Sequence, residues 1–290
     1  MDNLFKLNNG LCLPPAAYGT YKAAENGRNA VLDAIKAGYR YFDTASFYGT
    51  EEYIADAIAE SGIARENFQI CTKLWKSEMG YDKAIAAFQA SLKRLGADYI
   101  DLYLIHWPLP EPGYDNWREL DIETWRELDI ETWRALEYLY RQGFVKAIGV
   151  SNFLPHHLQN IMDNCDITPA IDQIEFHPGH TQEATVSYCR ESGILVQAWS
   201  PLGRTRVLGD ELICGLAEKY GCSPAQICIK YVLQRGVMPI VKTTDAERMR
   251  QNMALDAFTL SDEDMMRINS MPPCGWSGEH PDRKRVNINP

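Results

Sequence analysis

Eight short runs rich in β-branched and aromatic residues, at positions 16–19, 39–43, 68–73, 100–106, 145–150, 170–173, 195–199 and 238–241, alternate with longer segments of helical periodicity. The helical patterns occupy 29–37, 51–61, 82–95, 133–142, 155–163, 182–192, 223–234 and 246–253. This alternation constrains the fold more than any other feature, because a helix between two strands carries the chain back and makes the strands parallel. Eight such units in 290 residues, with no Pro/Gly/Ser-rich linker between them, predict an α/β fold of one closed (β/α)8 barrel, the TIM barrel, spanning 1–290 as a single domain. An open doubly wound sheet would carry a G-x-G dinucleotide fingerprint, and none of the 20 glycines stands two positions from another.

The two ends depart from the repeat. Residues 4–13, a largely hydrophobic stretch interrupted by Asn8-Asn9-Gly10, read as an N-terminal β-hairpin with a type I′ turn, able to plug the bottom of the barrel. Residues 271–290, rich in Pro, Gly and charge, read as an irregular C-terminal tail lying over the barrel mouth. Between the fourth strand and its helix the octapeptide WRELDIET occurs at 117–124 and again at 125–132. Eight helical residues turn about 80° beyond two full turns, so two helical copies cannot present the same face. Thr124 and Thr132 each suit an N-cap, and Thr124 has Glu127 three residues on. The second copy is therefore expected to keep the junction with the helix at 133–142, and the first to be extruded as a longer loop or an extra pair of helical turns.

Composition narrows the function classes. With 46% hydrophobic and 23% charged residues the chain can bury a large core, which excludes a disordered or disulfide-stapled class. A net charge of -10 disfavours nucleic acid and anionic membrane surfaces as partners, so an anionic ligand must be held by a local cluster of Lys and Arg. The first ten residues resemble no signal peptide, and no stretch reaches the roughly 18 apolar residues of a membrane span, so a cytoplasmic protein is expected. Eight cysteines without a C-x-x-C pair read as reduced thiols.

In such a barrel the working residues lie at the C-terminal ends of the strands. Asp43 ends one strand and Tyr48 follows in its loop, Lys73 ends the next, and His106 ends the fourth. Singly, Asp43 also suits a turn, Tyr48 a rim aromatic, Lys73 a snorkelling surface lysine and His106 a hydrogen-bonded strand end. Their placement together on one rim points to chemistry, either acid–base work or, with His177, a metal-dependent hydrolase.

The segments GYRYFDTASFYGTEE, CTKLW, DLYLIHWP, GVSNF, DQIEFHP, AWSPLG and VKTTDAERMRQN resemble those of the aldo-keto reductases, in that family's order. The resemblance implies a barrel that binds NADPH/NADP+ and reduces an aldehyde, ketone or keto-sugar by hydride transfer, or oxidises an alcohol in reverse; the family's channel-associated binding modules are the rival class. By matching position Asp43, Tyr48, Lys73 and His106 form its catalytic tetrad: Tyr48 the proton donor, Lys73 favouring the tyrosine's ionised form, Asp43 holding the lysine, and His106 orienting the carbonyl. No metal is implied.

The same resemblance places Ser151, Asn152 and Gln173 on the nicotinamide carboxamide and Trp199 against the ring, where the family more often has tyrosine. It places Ser200, Leu202 and Gly203 at the pyrophosphate, and Lys242, Thr243, Thr244, Arg248, Gln251 and Asn252 around the adenosine end, with Lys242 and Arg248 on the 2′-phosphate. Tyr21, Phe47, Trp75, Trp107 and Trp276 are the candidates for an aromatic substrate wall. A small-molecule carbonyl compound is the implied partner, and a monomer, or at most a weak homo-oligomer, is expected.

Overall fold

The computed structural model describes residues 5–23, 27–108, 122–254 and 256–282. Strands β1 (Phe5–Lys6) and β2 (Cys12–Leu13) form an antiparallel pair that precedes the barrel. The barrel strands are β3 (Ala17–Gly19), β4 (Tyr41–Asp43), β5 (Gln69–Leu74), β6 (Ile100–Ile105), β7 (Val145–Ser151), β8 (Ile171–Glu175), β9 (Leu195–Trp199) and β10 (Met238–Val241). Each pairs in parallel with the next, and β10 closes onto β3. The intervening helices are α1 (Gly27–Lys36), α2 (Glu51–Ser61), α3 (Tyr81–Arg94), α4 (Ile122–Arg141), α5 (Pro155–Asn164), α6 (Glu183–Glu191), α7 (Glu211–Tyr220), α8 (Pro224–Gln234) and α9 (Ala246–Met253), and α10 (Asp262–Asn269) follows. The eight-stranded barrel expected from the strand–helix alternation is the observed one.

Two apolar layers result. Leu102, Leu104, Ala147, Ile171 and Met238 fill the barrel interior together with Leu7 and Leu13 of the hairpin, whereas Tyr18, Phe42, Tyr103 and Trp133 belong to the shell between strands and helices. The interior is tight: a Cβ on Gly149 of β7 would lie 2.7 Å from the Ile171 carbonyl oxygen and 2.8 Å from Leu104 Cδ2. Only glycine lets β6 and β8 approach β7 so closely.

The hairpin does close the bottom of the barrel. Asn8 and Asn9 donate from their amides to the carbonyls of Pro169 and Lys146, at 3.0 and 2.8 Å. Its turn is not type I′, since neither asparagine has positive φ; only Gly10 does, at 90°. The loop is a three-residue turn, with the Leu7 N–H donating to Leu11 and that of Gly10 to Leu7. The asparagine amides on the strand ends outweigh the local preference of the Asn-Gly pair.

The octapeptide repeat also departs from expectation. Helix α4 starts at Ile122, so the whole second copy and the end of the first lie inside one helix, and neither Thr124 nor Thr132 is an N-cap. The Thr132 hydroxyl donates to the Leu128 carbonyl at 2.6 Å and accepts the Gly80 N–H at 2.8 Å. Strong helix formers without Gly or Pro carried the helix back through the repeat. Of the first copy, 117–124, expected to be extruded, residues 117–121 lie outside the described residues, and 122–124 are helical. Asp129, in the second copy, is fully buried, and among the described residues neither carboxyl oxygen has a hydrogen-bond partner. Burial alone pushes its pKa well above the usual carboxylate range. Asp129→Leu is therefore expected to stabilise the fold by about 1–3 kcal/mol, read as an increased denaturation midpoint at unchanged m-value. A lower midpoint would show that the carboxyl has a role the packing does not reveal.

Candidate active site

The four rim residues meet where the sequence places them. Asp43 pairs in register with Cys71, so Lys73, two residues further along β5, points into the barrel mouth beside it. Lys73 Nζ donates to both Asp43 carboxylate oxygens and to the Thr44 carbonyl, each at 2.8 Å. The lysine side chain is 0% exposed, which removes the snorkelling reading. Burial pulls its pKa down, but the Asp43 carboxylate more than restores it and holds the ammonium above its ordinary range.

Tyr48 lies in a 3-10 turn, Ser46–Tyr48, that Gly49 ends in the left-handed conformation. Glu78 anchors this turn: one of its carboxylate oxygens accepts the Ser46 hydroxyl at 2.7 Å and the Trp75 N–H at 2.6 Å. The Tyr48 hydroxyl lies 3.3 Å from His106 Nε2, and Lys73 Nζ lies 5.3 Å from the Tyr48 ring centroid. Burial pushes the phenol up to about 12, and the Lys73 ammonium offsets only part of that rise. Lys73 favours the ionised form as expected, but desolvation of a buried phenolate is the larger effect. The His106 pKa is pushed well below the ordinary histidine value, first by burial and then by Lys73 and Lys76, so the ring is neutral. Its Nδ1 is buried with no hydrogen-bond partner among the described residues. Hydroxyl and imidazole thus converge with a buried ion pair behind them, an arrangement able to protonate and orient one oxygen acceptor.

A second group of sequence-selected residues continues the same network. Ser151 Oγ donates to the Gln173 carbonyl at 2.8 Å, and Asn152 Nδ2 donates to the His106 carbonyl and Ser151 Oγ, both at 3.0 Å. The Trp199 indole N–H donates to Asn152 Oδ1 at 2.8 Å. Gln173 Nε2 reaches Asp43 Oδ2 at 2.8 Å, a link to the lysine–aspartate pair that sequence reasoning missed, as it missed the Thr44 carbonyl and Glu78. Ser200 and Gly203 have positive φ, and the Gly203 N–H donates to the Ser200 carbonyl across Leu202.

Past β10, Thr243 Oγ1 accepts the Asp245 N–H at 3.2 Å, and Thr244 is exposed. Arg248, Gln251 and Asn252 share one side of α9 at i, i+3 and i+4, with Asn252 buried. Lys242 and Arg248 are both exposed, and among the described residues neither has an ion pair.

The aromatic candidates divide. Phe47 stacks on Trp75 at 4.1 Å, Trp75 meets His106 edge-on at 4.9 Å, Tyr21 lies 5.0 Å from Tyr48, and Lys76 Nζ sits 5.1 Å from the Trp107 ring. Tyr21 and Trp75 thus flank the Tyr48–His106 pair directly, with Phe47 stacked behind Trp75. Trp276 does not join them: its described ring contact is His180, at 6.4 Å, and its indole N–H donates to the Glu279 carbonyl. The tail lies over the β8 and β9 loops, where Arg206 donates to the Trp276 carbonyl and Ser277 to Glu175.

Among the described residues the one cluster of three metal-ligating side chains is His156, His157 and Asp282, away from the tetrad. It is a hydrogen-bonded clasp on the tail. The Leu154 N–H donates to His157 Nδ1 at 3.0 Å, so the ring proton sits on Nε2 and is given to Asp282 Oδ1 at 2.9 Å. A metal at Nε2 would require that proton on Nδ1 instead, against the Leu154 N–H. His177, the third residue of the hydrolase alternative, is buried against the Glu175 carboxylate at 3.5 Å and is not gathered with Asp43 and His106.

A parallel barrel with acid–base groups assembled at the C-terminal ends of its strands defines an enzyme of the TIM-barrel class. The chain belongs to the aldo/keto reductase family, whose sequence model matches residues 11–272. It is 42% identical over 285 residues to the glyoxal reductase of Bacillus subtilis, covering 97% of each chain. It is 37% identical over 288 residues to an aldehyde reductase of Saccharomyces cerevisiae, covering 92% of this chain and 89% of that one. The structure is similar to that of a Bombyx mori aldo-keto reductase in complex with NADP, with TM-score 0.82, 38% identity and coverage of 93% and 92%. No helix among the described residues is long and apolar enough to cross a membrane.

Proposed function

We propose that the protein is an NADP(H)-dependent carbonyl reductase in which Tyr48 protonates the oxygen of an aldehyde, ketone or keto-sugar. The observation that carries this reading is the Tyr48–His106 contact of 3.3 Å backed by the buried Lys73–Asp43 pair. When bound, the reduced dinucleotide supplies the hydride that the reaction requires. The donor set fits it. Ser151, Asn152 and Gln173 offer amide-pairing groups beside the Trp199 indole, and Lys242 and Arg248 are exposed cations without ion pairs among the described residues, on a chain of net charge -10.

The residues of the chain divide the remaining work. Neutral His106 donates from Nε2 to the substrate oxygen and fixes its direction, while Phe47, Trp75 and Trp107 exclude water around it. Tyr48 remains protonated until negative charge develops on that oxygen, then transfers its proton, and the Lys73 ammonium stabilises the phenolate left behind. Asp43, with Gln173, keeps the lysine in place. The test is loss of NADPH absorbance with a panel of aldehydes, ketones and keto-sugars, starting from small dicarbonyls as the glyoxal reductase relative suggests, in the presence of a chelator. Unchanged NADPH absorbance with every carbonyl compound of the panel would overturn the reading.

Cofactor choice gives a second measurement. Replacing Lys242 and Arg248 together by Met is expected to weaken NADPH about 10²–10⁴-fold and NADH by less than about threefold, since each charge-assisted phosphate contact contributes roughly 1.5–3 kcal/mol. Equal weakening of both dinucleotides in a fluorescence titration would place the phosphate elsewhere.

A further inference from the structure

We propose that Arg204 is a cofactor-responsive residue, which leaves Glu279 of the C-terminal tail and the face of Trp199 to hold the dinucleotide pyrophosphate, so that the tail registers cofactor binding. The proposal rests on the cofactor reading above. Its first support is the state of the guanidinium. Arg204 Cζ lies 5.6 Å from the Trp199 ring centroid, and Nη2 lies 3.8 Å from Glu279 Oε1. Among the described residues Arg204 makes no hydrogen bond, although arginine carries five donors. Two positions on, Arg206 is already committed, donating to the Trp276 carbonyl at 2.6 Å. Of the two arginines on this turn, one is fixed and one is available.

The second support is the backbone beneath it. Gly203, Arg204 and Thr205 are consecutive left-handed residues, with φ of 54°, 53° and 71°. Glycine accepts this conformation, but arginine and β-branched threonine are disfavoured in it, so the turn is held by its surroundings. The turn directly follows Ser200–Gly203, the segment assigned to the pyrophosphate. A diphosphate anion there offers Arg204 a paired, bidentate contact in place of a long ion pair.

The third support is the fixity of Glu279. The tail is pinned before it, where Ser277 donates from N and Oγ to the two Glu175 carboxylate oxygens at 2.9 and 2.7 Å. It is pinned again after it, where Asp282 accepts from His156 and His157 at 3.2 and 2.9 Å. The carboxylate stays, and the arginine is the partner that moves. Pyrophosphate and Glu279 therefore compete for one guanidinium, and by linkage whatever weakens the Glu279 pair strengthens cofactor binding.

The two sides of the competition predict opposite signs. By calorimetry on the full chain, Arg204→Gln should weaken NADPH about tenfold, while 2′-AMP, which lacks the pyrophosphate, should bind within about twofold of wild type. Glu279→Gln should tighten NADPH about two- to threefold, as expected for loss of a partly exposed competing pair. Unchanged or tighter NADPH binding by Arg204→Gln, or similar weakening by both variants, would show that the pair only props the tail and would overturn the proposal. Loss of 2′-AMP binding in Arg204→Gln overturns it too, because the damage then reaches groups the guanidinium does not serve. If Arg204→Gln fails to fold, Glu279→Gln decides alone, tighter binding supporting the proposal and unchanged or weaker binding sinking it. A wild-type chain that binds 2′-AMP but not NADPH would instead overturn the cofactor reading itself.

Discussion

Replacing Tyr48 by phenylalanine is expected to lower kcat by about 10²–10⁴-fold while leaving NADPH affinity within about twofold of wild type. The hydroxyl faces His106 at 3.3 Å rather than the Ser151–Asn152–Gln173 group, so its loss removes the proton and little else. The ring remains for Tyr21 to pack on, at 5.0 Å, which makes the change small for the fold. The pKa shifts add a condition. Tyr48 is raised to about 12 and His106 lies well below its ordinary value, so neither changes charge near neutrality, and kcat for reduction should be flat from about pH 6 to 9. Phenylalanine at 48 with wild-type turnover would refute the assignment. A sigmoidal rate with a midpoint near 7 would mean that His106, not Tyr48, supplies the proton.

How far the site was legible follows from the range of the signals. Asp43, Lys73 and His106 were placed correctly because each ends a strand, and parallel closure of eight strands puts all such ends on one rim. Tyr48 followed because a five-residue loop could not carry it away. Trp276 could not be placed, since its direction is set by Arg206, Ser277 and Asp282, contacts that span 70 to 126 residues and leave no local pattern. Helices α7 and α10 were missed although their caps stand in the sequence: Asp210 accepts from the Leu212 and Ile213 N–H groups, and Ser261 from Asp264. Gly215 inside α7 and the brevity of α10 weakened their periodicity. The octapeptide misled in the opposite way. Its Thr-x-x-Glu signature is a local start signal, and the continuous helix formers around it overrode that signal.

The link most exposed to a single change is Lys73. Lys73→Met is expected to cost about 3–5 kcal/mol of stability, because it leaves the Asp43 carboxylate buried beside Gln173 with its cation gone. The same variant should lose about 10²–10⁴-fold in kcat, since the ammonium is what partly offsets the burial of Tyr48 and stabilises its phenolate. Stability and catalysis separate in a double variant. With Asp43→Asn added, no uncompensated charge remains, and most of the lost stability should return while kcat stays low. Urea midpoints and single-turnover rates for the two single variants and the pair complete the cycle. Recovery of turnover along with stability would mean that the pair serves only the fold, and that the phenol needs no cation to give up its proton.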